Sequence, residues 1–508
     1  MLSPDAVERL KEDFRRADYL VDPAMDAIGE AGRADLARNH TAAAERALAG
    51  RHDPLATLIR LFVLQLPQPR ARVAAAVPLD DLLAAGILKG GSDTVSAAVD
   101  LRPYGGDDGT SGWLASDHQA TVNTARSRPR PDHVLGLSPA SVTLAQLTPR
   151  SPVGAALDLG TGCGVQSLHL ARHAARVVAT DLNPRALELA ALTLALSDVA
   201  ADLRLGSLYE PVAGDLRRAV SGGDPAGGAK GDRFDLITTN PPFVIAPPAR
   251  PRLTYRESTF ESDGLMRAVV SGAGDHLAPG GGLVVLGNWA HIVGEPWQDR
   301  VASWLPPGAD ALIVQRETLD PAEYAEVWLA DAGLAGTAAY RARLDAWLAH
   351  FDRLRIEAVG LGWIVAQLNG RADPSVTALD WPHPVAQPVA ADLQARLAAV
   401  DASRLQDPAF LATRWRLAED AYQESVGRPG AADPTHVTFR RTTGLLPSVP
   451  VDTALAGVLG ACDGDLPLGV ILSAVADLLD EDHARLTARL LPTLRRLAAE
   501  AWVTPPPP

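Results

Sequence analysis

From about Ser151 onward, short apolar runs alternate with longer stretches of helical periodicity. The runs are GAALDL (154–159), RVVATD (176–181), ADLRL (201–205), FDLITT (234–239) and GLVVLGNW (282–289). Between them, 165–175, 184–198 and 264–277 carry the apolar spacing of a helix. Apolar strands separated by helices belong to a parallel sheet covered on both faces. The fold class predicted is therefore α/β, a Rossmann-like doubly wound sheet. DALIVQR (310–316) and IEAVGLGWIVAQL (356–368) would close it as an edge pair, one of them antiparallel, making seven strands.

The flanks read differently. Residues 1–50 have helical spacing, and DPLATLIRLFVLQLPQP is a further helix that stops at Pro67. LDDLLAAGIL is a short helix, followed by TVSAAVDLRPY as a strand, which suggests a small α+β module of winged-helix type. After Gly370 the pattern is mainly helical, clearest at 389–400, 451–461 and 484–500, with HVTFRR (436–441) as a strand. The expected organisation is an N-terminal α+β domain over 1–131, the sheet domain over 132–370, and a mainly helical domain over 371–508. A length of 508 residues agrees, because one hydrophobic core rarely spans so much chain.

Composition narrows the function. No apolar run is long enough to cross a bilayer, and the charged N-terminus lacks the apolar core of a signal peptide. A cytoplasmic location without a membrane partner is expected. Cys163 and Cys462 are the only cysteines, which argues against a disulfide framework or a cysteine-based zinc site. His169 and His173 lie four apart but lack the glutamate of a metalloprotease helix, so no metal is expected. The net charge of −14 argues against a surface coated for nucleic acid. It leaves room for a local basic patch, for which Arg126, Arg128 and Arg130 are candidates.

The strand at 154–159 runs into ALDLGTGCGVQSLHLA, a glycine-rich turn that opens a helix. Gly160, Gly162 and Gly164 permit backbone angles closed to other residues and let a ligand approach closely. Asp158 stands at the end of the first strand and Asp181 at the end of the second. An acid in that second place accepts hydrogen bonds from ribose hydroxyls in doubly wound sheets. A ligand site is expected at this edge.

Asp-Leu-Gly-Thr-Gly-Cys-Gly followed by Asp181 resembles the first two motifs of class I S-adenosylmethionine-dependent methyltransferases. The resemblance implies S-adenosyl-L-methionine as cofactor. It implies that Asp158 and the turn Gly160, Thr161, Gly162 and Gly164 hold the methionine end. It places Asp181, with Leu182 beside it, at the ribose. Where the family often has an acid after the third strand, this chain offers Ser207. Upstream, DHVLGLSPASVTLAQL (132–147) resembles the segment that covers the cofactor. The chain as a whole looks like actinobacterial proteins that flank a small-methyltransferase core with further domains.

The fourth strand breaks at Asn240, Pro241, Pro242 and Phe243. Two prolines cannot continue a strand, because neither donates a backbone N–H. The break resembles the [D/N]-P-P-[Y/F] signature of enzymes that methylate planar nitrogens. In such an NH₂ group the lone pair is delocalised, which makes the nitrogen a poor nucleophile. The Asn240 side-chain oxygen and the Pro241 carbonyl can each accept one N–H and so aim the lone pair at the methyl donor. The prolines stiffen the turn, and Phe243 offers a flat face for a planar substrate. Asn240 also borders the cofactor. Further on, Tyr255, Arg256 and Asp263 are candidates to line the substrate cleft.

The leading expectation is an N-methyltransferase acting on an exocyclic amine of a nucleic-acid base, with RNA favoured. The alternative is N5-methylation of a protein glutamine, toward which the acidic charge pulls. Phe at the fourth motif position resembles ribosomal RNA enzymes, whereas Tyr is commoner in release-factor enzymes. A third possibility is a non-catalytic binding module that keeps the fold.

Overall fold

The structure is a computed structural model that describes residues 2–118, 130–206, 232–248, 255–430 and 434–506. Its central feature is an eight-stranded sheet. We label its strands β1 (Val153–Leu159), β2 (Ala174–Asp181), β3 (Asp202–Leu205), β4 (Phe234–Thr239), β5 (Leu277–Ile292), β6 (Ala309–Leu319), β7 (Ile356–Leu368) and β8 (Val376–Asp380). The spatial order is β8-β6-β7-β5-β4-β1-β2-β3. β7 runs antiparallel to both neighbours, and every other pair is parallel.

The seven expected strands are all present, and β7 is the reversed member of the edge pair. β8 is the addition, and it lies beyond residue 370. None of its residues is buried, so it carries no apolar run to read. The inner strands show why the others were readable. Ala156, Val177, Leu236, Val284 and Val365 are buried on one face, and Leu157, Val178, Ile237, Val285 and Ile364 on the other. Trp289, Trp297 and Trp304 fill this same core, with the first two rings stacked 5.6 Å apart.

The helix expected over 165–175 is shorter, Val165–Leu170, because β2 already begins at Ala174. The helix Pro184–Leu196 follows β2. Proline suits its first turn, and Asn183 caps it by accepting the Arg185 N–H at 3.1 Å.

The N-terminal region packs against the sheet domain through a shared hydrophobic cluster. TVSAAVDLRPY forms two strands, Thr94–Ala97 and Asp100–Gly105, which belong to different sheets. The second pairs with Ser111–Ser116 as a hairpin. The helix read through Pro67 is α-helical over Pro54–Leu58 and then widens to a π turn over Ile59–Val63. Phe14, Tyr19, Phe62 and Trp113 cluster in a core that continues into Leu168, Leu189 and Leu194 of the sheet domain. Polar contacts fix this junction. Thr193 Oγ1 accepts the Ala115 N–H at 2.9 Å, and Ser197 Oγ accepts the Trp113 N–H at 3.2 Å. Lys11 is buried and pairs with Glu8 and Asp198.

The C-terminal region has its own core around Phe410, Trp415, Leu472, Leu486 and Trp502. HVTFRR is the middle strand, His436–Arg441, of a three-stranded sheet with Ala421–Val426 and Ser448–Val451. Buried Asp392 joins this region by accepting from Arg441 at 2.8 Å and from the Leu445 N–H at 3.3 Å. No helix among the described residues is long and apolar enough to cross a membrane.

His169 is buried at the N-terminal junction. Its Nε2 lies 2.6 Å from the Tyr104 hydroxyl and its Nδ1 lies 2.8 Å from Asp108 Oδ2. Burial opposes ionisation of Asp108, but the contacts from His169 and the Thr110 N–H win and hold its carboxyl down at about 2. A carboxyl held that low stabilises the fold fully above about pH 4, and the contribution fades as pH falls toward 2. His169→Phe keeps a flat ring but removes the imidazole partner of Asp108 and Tyr104. It is expected to cost about 2–4 kcal/mol at pH 7, read by urea unfolding, with the loss shrinking below pH 4.

Candidate active site

Register decides where the site lies. Leu159 at the end of β1 pairs with Thr180 on β2 and with Thr239 on β4. The three chains therefore leave the sheet at one level. Gly160, Asp181 and Asn240 emerge side by side at the carboxyl edge, where open α/β sheets bind ligands. Hydrogen bonds hold these exits. The Gly160 and Thr161 N–H groups donate to the Thr180 carbonyl at 2.9 and 2.8 Å. The Thr239 hydroxyl donates to the Leu159 carbonyl at 2.7 Å.

Above the exits lies a cleft of about 1010 Å³, counting the solvent at its mouth. The glycine turn is its floor. Gly160 and Gly162 have φ of 76° and 56°, in the left-handed region that only glycine adopts freely. No atom lies within 4 Å of where a Cβ would stand on either residue, so the backbone faces open space. At Gly164 a Cβ would come within 3.3 Å of the Ala190 backbone, so glycine there serves the packing of two helices.

The two acids differ in their partners. Asp158 is buried, and its Oδ2 accepts from the Thr161 and Ser167 hydroxyls at 2.7 and 2.6 Å. Burial outweighs those bonds, and Asp181 adds repulsion, so the carboxyl is pushed up to about 6. Asp181 accepts the Gly162 N–H at 3.0 Å and the Asn183 N–H at 2.8 Å. Its pKa is raised too, by burial.

Asn240 lines the cleft opposite the glycines, together with Pro242. Its side-chain Oδ1 is buried and has no hydrogen-bond partner among the described residues. The neighbouring Pro241 carbonyl accepts the Phe243 N–H at 2.8 Å. Phe243 turns away from the cleft and meets Trp328 edge-on at 6.2 Å. The next residues enter a separate apolar core with Tyr324, Trp347 and Phe351, where the Ile245 N–H donates to the Tyr324 hydroxyl at 3.1 Å.

The other sequence candidates separate. Leu182 and Tyr255 line the cleft, and the Tyr255 hydroxyl donates to Asp331 at 3.0 Å. Arg256 and Asp263 do not line it, contrary to expectation. Buried Arg256 binds the Trp328 carbonyl and Asp331, both at 2.8 Å. Buried Asp263 accepts the Ala290 N–H at 2.7 Å and pairs with Arg300. Both are fully engaged in holding loops to the scaffold. Ser207, Arg126 and Arg128 lie outside the described residues, and Arg130 pairs with Asp132 at 3.0 Å.

Gln166, Asn183 and His133 also line the cleft, and sequence reasoning passed over them. Gln166 donates to the Ser141 carbonyl at 2.7 Å, and Asn183 donates to the Asp132 carbonyl at 2.9 Å. They tie the segment 132–147 across the glycine turn, which agrees with its expected place over the cofactor. Their signal is position, two residues after the last glycine for Gln166 and two residues after Asp181 for Asn183.

The cleft fits S-adenosylmethionine. Open glycine backbone admits close approach, buried Asp158 and half-buried Asp181 suit an amino group and vicinal hydroxyls, and the unpartnered amide oxygen stands beside them. Among the described residues, no group of three His, Cys, Asp or Glu side chains could hold a metal ion.

Comparison with known proteins agrees. Residues 16–98 match a domain of unknown function (DUF7059), and residues 136–293 match the methyltransferase small domain. The release factor glutamine methyltransferase of Xylella fastidiosa is 35% identical over 147 residues, 26% of this chain and 46% of the relative. The ribosomal protein uL3 glutamine methyltransferase of Bradyrhizobium diazoefficiens is 33% identical over 163 residues, covering 29% and 46%. The ribosomal RNA small subunit methyltransferase C of Idiomarina loihiensis is 29% identical over 161 residues, covering 31% and 39%. The chain thus spans less than half the length of each of these relatives.

A raised carboxyl pKa makes the folded chain hold its proton more tightly than the unfolded one. The resulting stabilisation is complete below about pH 4 and is lost as pH rises through 6. Asp158→Asn keeps an acceptor oxygen for Thr161 and Ser167 and removes the charge. Without ligand it is expected to raise stability at pH 8 by about 1–3 kcal/mol and to change little at pH 4, by urea unfolding at both. The turns that follow β1, β2 and β4 all fall within residues 136–293, and this segment belongs to the methyltransferase small domain family of class I S-adenosylmethionine-dependent methyltransferases.

Proposed function

We propose that the chain is an S-adenosylmethionine-dependent N-methyltransferase that modifies a planar NH₂ group, the side-chain amide of a protein glutamine. The observation that carries this reading is the buried, unpartnered Asn240 Oδ1 at the end of β4, beside the glycine-lined cleft. A buried acceptor without a donor costs about 1–3 kcal/mol. An incoming N–H satisfies it.

When bound, S-adenosylmethionine supplies an electrophilic methyl group. The chain's own residues do the rest. Gly160, Thr161 and Gly162 let the backbone pass close to the ligand, Gly164 lets the following helix pack against Ala190, and Asp158 takes the ligand's amino group. Asp181 and Leu182 hold the ribose. Asn240 Oδ1 accepts one N–H of the substrate, and the second lone pair of the Pro241 carbonyl accepts the other. This turns the nitrogen lone pair toward the methyl carbon and stabilises the positive charge that develops on nitrogen. Pro241 and Pro242 keep both acceptors from reorganising. Phe243 acts by packing the far side of the turn, and Tyr255 supplies the aromatic wall.

Glutamine is favoured over a nucleic-acid base by charge. A polynucleotide needs cations for its phosphates. No Lys or Arg is among the described residues that line the cleft, and the chain carries a net charge of −14. The relatives named as glutamine methyltransferases also share higher identity with this chain than the ribosomal RNA enzyme does. A base in RNA stays as the second reading, favoured by Phe at the fourth motif position.

Asn240→Ala is expected to lower methyl transfer by a factor of about 100 or more, with S-adenosylmethionine affinity within about twofold of wild type. Calorimetry and transfer of labelled methyl to cell extract check both. Label in protease-sensitive material supports the glutamine reading, and label in RNase-sensitive material supports the base. Label in neither removes the enzymatic reading. A large loss of cofactor affinity in the variant removes the role given to Asn240.

A further inference from the structure

A second cleft lies behind the Asn-Pro-Pro-Phe turn. Its walls include Val244, Ala246, Pro247, Glu257 and Phe260, and His350 closes it from the helix Tyr340–Leu354. Two chain segments divide it from the first cleft. On the segment after β4, Asn240 and Pro242 face the first and Val244 and Ala246 the second. On the return segment, Tyr255 faces the first and Glu257 the second. The segments are joined where Val244 bridges Glu257, with the Val244 N–H donating to the Arg256 carbonyl at 2.9 Å.

His350 is 6% exposed. Arg353 donates to its Nδ1 at 3.0 Å, which leaves the ring proton on Nε2. That Nε2–H is buried and has no acceptor among the described residues. Glu257 is paired with Arg256 at 3.0 Å and Glu261 with Arg353 at 2.9 Å, so the acids bordering this cleft are already neutralised. Among the described residues the cleft therefore offers the buried His350 donor in an electrically balanced setting of mixed apolar and hydroxyl character.

We propose that this second cleft is a subsite for uncharged polypeptide beside the target glutamine, in which one carbonyl oxygen accepts the His350 Nε2–H. The inference rests on the glutamine reading. The glutamine side chain enters the first cleft while the adjoining residue crosses the Val244–Glu257 partition. Its apolar part then lies on Ala246 and Phe260. His350 thereby selects the residue next to the glutamine and takes no part in the transfer itself.

The probe is a short glutamine peptide, fluorescently labelled and chosen as the best methyl acceptor of the full-length chain from a randomised library. His350→Phe is expected to raise its Kd, by anisotropy, roughly tenfold. S-adenosylmethionine affinity stays unchanged, and kcat at saturating peptide stays within about twofold. His350→Gln, which restores a donor, recovers most of the affinity. Ala246→Phe, which fills the cleft without touching the His350–Arg353 pair, weakens the peptide to a similar degree. If His350→Phe and Ala246→Phe both bind the peptide as wild type does, the subsite is overturned and the glutamine reading stands. If the wild-type chain methylates no peptide of the library and labels RNA, the glutamine reading fails and the subsite with it.

Discussion

In a parallel sheet, the residue that follows each strand emerges at the same edge, but only register brings neighbours out at the same height. Leu159, paired with both Thr180 and Thr239, sets that height for three strands at once. A slip of one residue would reverse which side chains face each layer of helices, and the buried aliphatic residues on both faces forbid it. The site is thus a consequence of core packing. Nothing in the turns themselves could align a glycine, an acid and an amide from positions spread over 80 residues of sequence, the separation of Leu159 and Thr239.

That alignment creates an electrostatic tension which the turns resolve only in part. Asp158 is buried and Asp181 half-buried beside it, and the Asp181 charge raises the cost of ionising Asp158. Hydroxyls and backbone N–H groups meet them, yet both remain harder to ionise than ordinary carboxyls. A site built this way has spent folding free energy on groups that a ligand carrying positive charge and hydroxyl donors can repay. Buried acids aimed at a cleft are poor stabilisers of an empty chain and good discriminators of what enters it.

The strands were legible because burial on both faces leaves an unbroken apolar signal, and the motif residues were legible because each stands where such a signal stops. Leu182, Asn240 and Pro242 reach the cleft for that reason. Arg256 and Asp263 follow the motif closely, and a charged residue there looks like a cleft residue. Their partners are Asp331 and Arg300, 75 and 37 positions away, and no local pattern announces them. The same holds for His169, whose contacts are 65 and 61 positions back in the N-terminal hairpin. β8 escaped notice for the opposite reason, since an exposed edge strand needs no apolar run. The shared core between the N-terminal helices and the sheet domain is a property of surfaces, and sequence periodicity reports only that each helix has an apolar face.

The unpartnered Asn240 oxygen has one further implication for how the turn is built. A buried acceptor lowers its free energy by finding any donor within reach, and a loose loop would rotate until it did. This turn cannot. Before it, Thr239 is tied to β1 through the Leu159 carbonyl. After it, Ile245 is tied to Tyr324 and Val244 to Arg256. The two prolines between those anchors remove the φ freedom that relaxation would need. Arg256 and Tyr324, which never reach the cleft, therefore act on it by denying Asn240 a local partner. The same anchors form the partition between the two clefts, so the rigidity that keeps the amide oxygen available for chemistry also gives the second cleft a fixed wall.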